Sequence, residues 1–451
     1  MREMNKDVIC VFDWRYGSDE MREIFSLKNI VKTYIKVENA LMNGLIDAGF
    51  APPACRDSVV KCGGNISPEE VYEKEKVLGH DIASLTYILG EVCGECGKYV
   101  HLGATSYDIV DTTWSLLIKQ ADDVLISKLK KIIEKLIELA KNYANYVEPG
   151  RTHGQHADPI TFGFKFANYI YELTRSLERI KDAEKRTVKI KMSGAVGTMA
   201  AWNGKGLEIE ESVSKQLNIE PHLISTQVAP RDGLAEVISS LAILASQLDR
   251  FALEVRELSR TEINEMYEYA ERIGSSTMPH KRNPVTAERI SGLAKIMRAF
   301  VISTLENIPL MHERDLTNSS SERVILPHAY LTMDQMMDDM IKLLNTLYIN
   351  TEAAKKNLEI TKGATLSEKL MLLLVERGFA RHEAHKKVMQ ISRALKEGES
   401  LIDAALRDED ISKLFTREEL ERELKPEKYL GNYRELIERT ISYAEKRLHE
   451  L

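Results

Sequence analysis

From Leu234 the apolar residues fall at Leu234, Val237, Ile238, Leu241, Leu244, Ala245, Leu248, Phe251, Ala252, Val255 and Leu258. This three-and-four spacing predicts a helix kept up for about seven turns. No proline stands between Arg231 and Thr277 to interrupt it. One small domain cannot bury so long a stripe, so it must continue against other helices, including helices of other subunits. Four more segments carry the same period: about Asp108 to Tyr146, Phe162 to about Met192, Pro284 to about Leu305, and Ser321 to about Leu347. The last is expected to tolerate Pro327 near its first turns. Alternating strand patterns are nearly absent. The chain is therefore expected to be all-α, built on an elongated central long-helix bundle.

The flanks differ from the middle. Residues 1–103 hold shorter helical patterns, broken at Pro52-Pro53, Gly63-Gly64 and Gly94, Gly97 and Gly103. After Lys362-Gly363 come short helices rich in Glu, Lys and Arg, such as Ser367 to Arg377 and Arg381 to Glu397. Three helical domains follow as the expectation: 1–103, 104–361 and 362–451. The 451 residues carry a net charge of −7. With no basic excess, nucleic acid is not expected as a general partner. No apolar run approaches the roughly 18 residues that span a bilayer, and the N-terminus has no signal-peptide core. A cytoplasmic protein without a membrane partner is the expectation.

The five cysteines read as thiols of an intracellular protein, with a disulfide open only to a hyperthermophile source. Cys93 and Cys96 form a C-x-x-C, but no second pair follows at zinc-ribbon spacing.

Polar clusters lie at the ends of these helices, where a rigid scaffold presents function. They are Arg15-Tyr16-Gly17-Ser18, Gly79-His80-Asp81, His101 to Ser106, Gly150 to His156, Gly274 to Pro284, and His312 to Arg323. Ser106 suits a helix cap, whose free N–H groups serve the fold or an anion equally well. His153 and His156 lack a third nearby ligand for a metal, so a general acid or base is the better functional reading. The 274–284 stretch, Gly-Ser-Ser-Thr-Met-Pro-His-Lys-Arg-Asn-Pro, reads either as an ordinary turn or as a cationic loop. The second reading sets a hydroxyl and a positive charge against a carboxylate. Arginines and serines at 312–323 have the donors to hold an anion. No G-x-G-x-x-G after a strand, no P-loop, no H-E-x-x-H and no G-x-S-x-G is present.

The 274–284 loop resembles the signature of the fumarase/aspartase superfamily of fumarate-releasing lyases. Arg15-Tyr16, His80-Asp81, His101 with Thr105-Ser106, Thr152-His153, Gln227 and His312-Glu313-Arg314-Asp315, in that order, look like the adenylosuccinate lyase family within it. That resemblance implies three helical domains, and a homotetramer with the long helices at its core and active sites shared between subunits. It also implies a small-molecule nucleotide substrate, no cofactor and no metal. By the same match Ser275 is the base, His153 the general acid, and Glu288 the carboxylate that orients or charges it. Lys281 and Asn283 hold the substrate carboxylate as charge builds, and Ser276 contributes through its backbone. Arg15, Tyr16, Arg314, Ser319 and Arg323 are implied to hold the nucleotide, chiefly its phosphate. Gly79, His80 and Asp81 are implied near the base, with His80 also counted as catalytic, and Thr105, Ser106, Thr152 and Gln227 near the succinyl group. One departure stands out: Asn318 occupies a position where the family commonly has histidine.

Overall fold

The computed structural model describes residues 8–269, 278 and 280–451. The five apolar stripes fold as helices over Ser106–Asn142, Phe162–Thr187, Asp232–Leu258, Val285–Glu306 and Thr317–Asn345. Every stripe position from Leu234 to Leu258 is buried, so the periodicity reports a real core face.

Their ends depart from the expected bounds for local reasons. The second long helix stops at Thr187, because the following backbone turns aside to accept hydrogen bonds from the first. Ser115 Oγ donates to the Lys189 carbonyl at 2.6 Å, and Thr112 Oγ1 to that of Lys191 at 2.9 Å. The last long helix begins at Thr317 rather than Ser321, its first turn capped by Asp315, whose Oδ1 accepts the Thr317 N–H at 2.9 Å. Pro327 therefore sits in the helix interior, where it leaves the carbonyl of Arg323 without its usual donor.

Two small antiparallel sheets were not anticipated. β1 (Val147–Thr152) pairs with β2 (Gln155–Thr161), with an irregularity between Pro149 and Arg151. β3 (Met266–Glu268) pairs with β4 (Leu347–Ile349).

The chain forms two compact units, and each long helix contributes residues to both. The first comprises Met1–Leu129, Ser176–Ser246 and Gly292–Asp338. Buried polar pairs tie its helices together. Tyr330 donates its hydroxyl to Asp122 at 2.8 Å, and Lys128 Nζ reaches Asp334 at 2.6 Å. Two disulfides staple its N-terminal part, Cys55 to Cys96 and Cys62 to Cys93, with Cα separations of 5.4 and 5.3 Å. This corrects the expectation of thiols: the C-x-x-C does not pair with itself, and each of its cysteines takes a partner upstream. Cys10 remains a thiol.

The second unit comprises Lys130–Arg175, Gln247–Ser291 and Asp339–Leu451. Phe251 meets Tyr169 edge-on at 5.0 Å, and Arg289 pairs with Asp339. Leu366, Leu370, Leu374, Val388, Ile411 and Leu420 make a separate small core among its C-terminal helices. No helix among the described residues is long and apolar enough to cross a membrane.

Candidate active site

In the first unit the polar clusters converge on the Thr317–Asn345 helix. Gly17 and Ser18 donate their backbone N–H groups to Gln335 Oε1 (3.0 Å) and Asp334 Oδ2 (2.6 Å). These bonds dock the Arg15-Tyr16 turn on that helix. Gly17 adopts φ +84°, and a Cβ there would stand 2.7 Å from Leu331, so only glycine fits. The exposed Arg15 guanidinium lies over the rings of Trp14 and Tyr16 at 5.5 and 5.8 Å.

Gly79 closes the Pro68–Leu78 helix at φ +71°, a left-handed C-cap that favours glycine. His80 then begins the Asp81–Val92 helix, its Nδ1 accepting from the Ala83 N–H at 3.4 Å. Asp81, expected near the base, accepts from Arg323, expected on the phosphate, at 2.6 Å. Burial pulls the Arg323 pKa down, but Asp81, with smaller contributions from Tyr34, Tyr107 and Glu75, raises it overall. Tyr34 and Tyr107 belong to the same electrostatic neighbourhood of Arg323.

Arg314 donates through Nη1 to Gln227 Oε1 at 3.2 Å, joining the expected phosphate and succinyl groups. Its Cζ lies 3.9 Å from the centroid of the Tyr107 ring, and Ser319 belongs to the electrostatic surroundings of the Tyr107 hydroxyl. The segment bearing Arg314 is held by Asp315, which accepts from the Met311 N–H on one side and the Thr317 N–H on the other. Ser319 and Asn318 are buried.

Thr105, not Ser106, occupies the cap position of the Ser106–Asn142 helix. Ser106 is its first helical residue, and the Thr105 N–H donates to Asp108 Oδ2 at 2.7 Å. Asp108 is fully buried and also takes Lys191 Nζ (2.7 Å) and the N–H of Ser193 (2.7 Å). His101 pairs with buried Glu38 at 2.6 Å. Burial lowers the His101 pKa, and the Glu38 carboxylate more than offsets this and raises it.

In the second unit Thr152 and His153 stand exposed at the tip of the β1–β2 hairpin. His153 and Gly154 form its two-residue turn, with φ of +54° and +74°. A tight hairpin needs positive φ at both places. A histidine there holds strain that neighbouring structure must offset. Arg151 anchors the hairpin to Glu265, Nη1 to Oε2 at 2.8 Å and Nη2 to Oε1 at 2.5 Å.

Glu265 immediately precedes β3, which leads into the signature segment. Ser275 and Ser276 lie outside the described residues. On the far side Lys281 is exposed and Asn283 half-buried, and Arg282 lies 5.5 Å over the Tyr267 ring. Glu268, on β3, accepts from the Thr286 N–H at 2.8 Å, so the end of β3 caps the helix after the loop. Glu288 is exposed in the first turn of that helix. Among the described residues no hydrogen bond joins His153 to Glu288.

Residues 15–298 fit the family model for lyases, and residues 363–440 that for the adenylosuccinate lyase C-terminus. The adenylosuccinate lyase of Pyrococcus abyssi is 44% identical over 439 residues, covering 96% of this chain and 97% of the relative. The chain belongs to the adenylosuccinate lyase family. That of Methanothermobacter thermautotrophicus is also 44% identical, over 96% and 98% of the two chains. Among solved structures, the 3-carboxy-cis,cis-muconate lactonizing enzyme from Pseudomonas putida is similar, with a TM-score of 0.88 and 29% identity. It covers 97% of this chain and 99% of its own. Membership of the adenylosuccinate lyases makes the chain a lyase.

Sequence reasoning missed Tyr107 and Glu265 as parts of the site's framework. Tyr107 directly follows Ser106, a residue already singled out, and was legible to that extent. Nothing in the sequence marks Glu265 as the partner of Arg151.

Proposed function

We propose that the protein cleaves adenylosuccinate to AMP and fumarate, and the succinylated aminoimidazole carboxamide ribotide to its free carboxamide and fumarate. The observation that carries the substrate class is the Arg314–Gln227–Ser319–Tyr107 cluster beside the Arg323–Asp81 pair. It sets cationic and neutral donors together at a scale suited to a nucleotide, where a small diacid needs fewer.

In the elimination, a Ser275 alkoxide removes the proton next to a succinyl carboxylate. The electron pair left behind forms the fumarate double bond as the C–N bond breaks. His153 delivers a proton to the departing nitrogen. The Ser275 base needs its ionised form stabilised, and the loop's N–H groups and Lys281 supply positive potential for that. Lys281 and Asn283 then hold the carboxylate on which charge accumulates, and Glu288 orients or charges His153. Thr105, Ser106, Thr152 and Gln227 bind the succinyl group, with Ser276 contributing backbone contacts. Arg15, Tyr16, Arg314, Ser319 and Arg323 bind the phosphate end, and Gly79, His80 and Asp81 the base.

The three helical domains are proposed to assemble as a homotetramer whose active sites draw on several subunits. Ile243, Leu253, Ile296 and Ile302 stand exposed on the long helices, which suits a partner covering them. Mixing the purified protein with adenylosuccinate and following the ultraviolet change as the N6 substituent leaves tests the reading. Turnover of a carboxymuconate without turnover of adenylosuccinate would sink it.

A further inference from the structure

Two arginines, Arg231 and Arg314, lie against the Tyr107 ring, and Arg323 belongs to the same electrostatic neighbourhood; the three are not equivalent. Arg231 is buried and paired with carboxylates. It donates to Asp111 Oδ1 (2.7 Å) and Oδ2 (3.1 Å) and to the Ala229 carbonyl (3.0 Å), and its Nε faces Glu322 at 2.9 Å. Arg323 is paired with Asp81. Arg314 alone of the three has no salt bridge to a carboxylate among the described residues. Its Nη1 meets the neutral amide of Gln227, while Nε and Nη2 are buried without a hydrogen-bond partner. Nε and Nη2 form one edge of the guanidinium, two parallel N–H vectors that match the oxygens of a phosphate.

What holds that edge in place is the Tyr107 ring. Arg314 lies 3.9 Å from the ring centroid, and Arg231 stands 5.6 Å from the same ring. Tyr107 is buried at the start of the Ser106–Asn142 helix. A rigid aromatic plate thus backs a guanidinium that has only one hydrogen bond to keep it aimed.

We infer that Tyr107 is a positioning residue for the phosphate of the substrate: by stacking on Arg314 it presents the Nε–Nη2 edge as a preformed, two-point oxyanion donor. This rests on the nucleotide reading above. Tyr107 touches Arg314 rather than the anion, so its effect should appear in binding and not in the chemical step. Leucine at this position fills space without a π face, whereas phenylalanine keeps the face and loses only the hydroxyl.

The test uses the full-length protein with Tyr107→Leu, Tyr107→Phe, Arg314→Ala and the Tyr107→Leu/Arg314→Ala double variant. Binding of AMP and of adenosine is measured by calorimetry, and KM and kcat for adenylosuccinate by absorbance. Tyr107→Leu should weaken AMP and raise KM by about tenfold, the scale of a partly desolvated cation–π contact. Adenosine binding and kcat should stay near parental values, and Tyr107→Phe should stay close to parent throughout. Adding Tyr107→Leu to Arg314→Ala should cost nothing further for AMP, since its route is gone. Unchanged AMP affinity in Tyr107→Leu overturns the inference, as does an equal loss for adenosine. If Tyr107→Leu does not fold, Tyr107→His replaces it under the same criteria, as a ring with a weaker face. A parent that binds AMP but does not turn over adenylosuccinate refutes the proposed reaction and leaves this inference to be decided by the AMP-against-adenosine comparison.

Discussion

Glu265 accepts both terminal nitrogens of Arg151, and its Oε1 also takes Nδ2 of Asn357 at 2.6 Å. One fully buried carboxylate thus fastens the hairpin that carries His153 to the start of β3, the strand leading into the signature segment. The proposed acid and the root of the proposed base loop share a single anchor within one chain.

Glu265→Ala removes that anchor and strands a partly buried guanidinium. Breaking one side of a buried pair costs roughly 3–5 kcal/mol, so the denaturation midpoint should fall clearly. Glu265→Gln keeps the shape and the Asn357 contact but not the charge, so it should fold while kcat drops more than KM changes. A Glu265→Gln enzyme with parental kcat would show that the hairpin does not need this anchor.

How much of this was readable beforehand differs by element. The long helices were legible because their 3.6-residue period is carried largely by buried residues, without exception from Leu234 to Leu258. The β1–β2 hairpin was not. Pro149 and Gly150 interrupt any strand alternation, and the His153-Gly154 turn is not the Asn-Gly that usually announces one. The clusters around Gly79 to Asp81 and Arg314 to Arg323 were visible as chemistry. That Arg323 would pair with Asp81, and Arg314 stack on Tyr107, depends on packing between segments far apart in sequence. Four cysteines allow three pairings, so the disulfide connectivity was equally out of reach.

Asp122 gives a signed pH dependence. Burial pushes its pKa from 3.8 up to about 8, with the Tyr330 hydroxyl pulling the other way. The folded protein keeps the proton while the unfolded chain releases it near its ordinary pKa. The unfolded state therefore binds fewer protons between these values, and stability falls as pH rises from about 4 to about 8. Glu322, also raised by burial, to about 7, acts in the same direction. Asp122→Asn should flatten the profile, gaining on the parent as pH approaches 8. Urea midpoints from pH 5 to 8.5 check it, and a parent-like slope in the variant would refute the assignment.

The two disulfides close loops with sequence separations of 41 and 31 residues. Crosslinks of that span stabilise by roughly 3–4 kcal/mol each, chiefly by restricting the unfolded chain. All four cysteines lie in the N-terminal part, away from the His153 hairpin in sequence. Cys55→Ser/Cys96→Ser should lower the midpoint of thermal unfolding by several degrees and leave kcat at moderate temperature within about twofold of parent, since no disulfide cysteine is a proposed site residue. Thiol titration under denaturing conditions, before and after reduction, should count one free thiol and then five.

The last prediction separates a shared active site from a self-contained one. Ser275→Ala removes the proposed base and His153→Gln the proposed acid, so each variant alone should lose at least ~10²-fold in kcat. If a site takes its acid and its base from different subunits, mixed tetramers contain some sites where both contributing chains are intact. Unfolding and refolding the two inactive variants together should then restore a measurable fraction of parental activity, while each refolded alone stays inactive. If both groups of a site come from one chain, every site in the mixture still lacks one of them. No recovery, in a sample shown by mass spectrometry to contain mixed oligomers, would mean that the groups come from one chain.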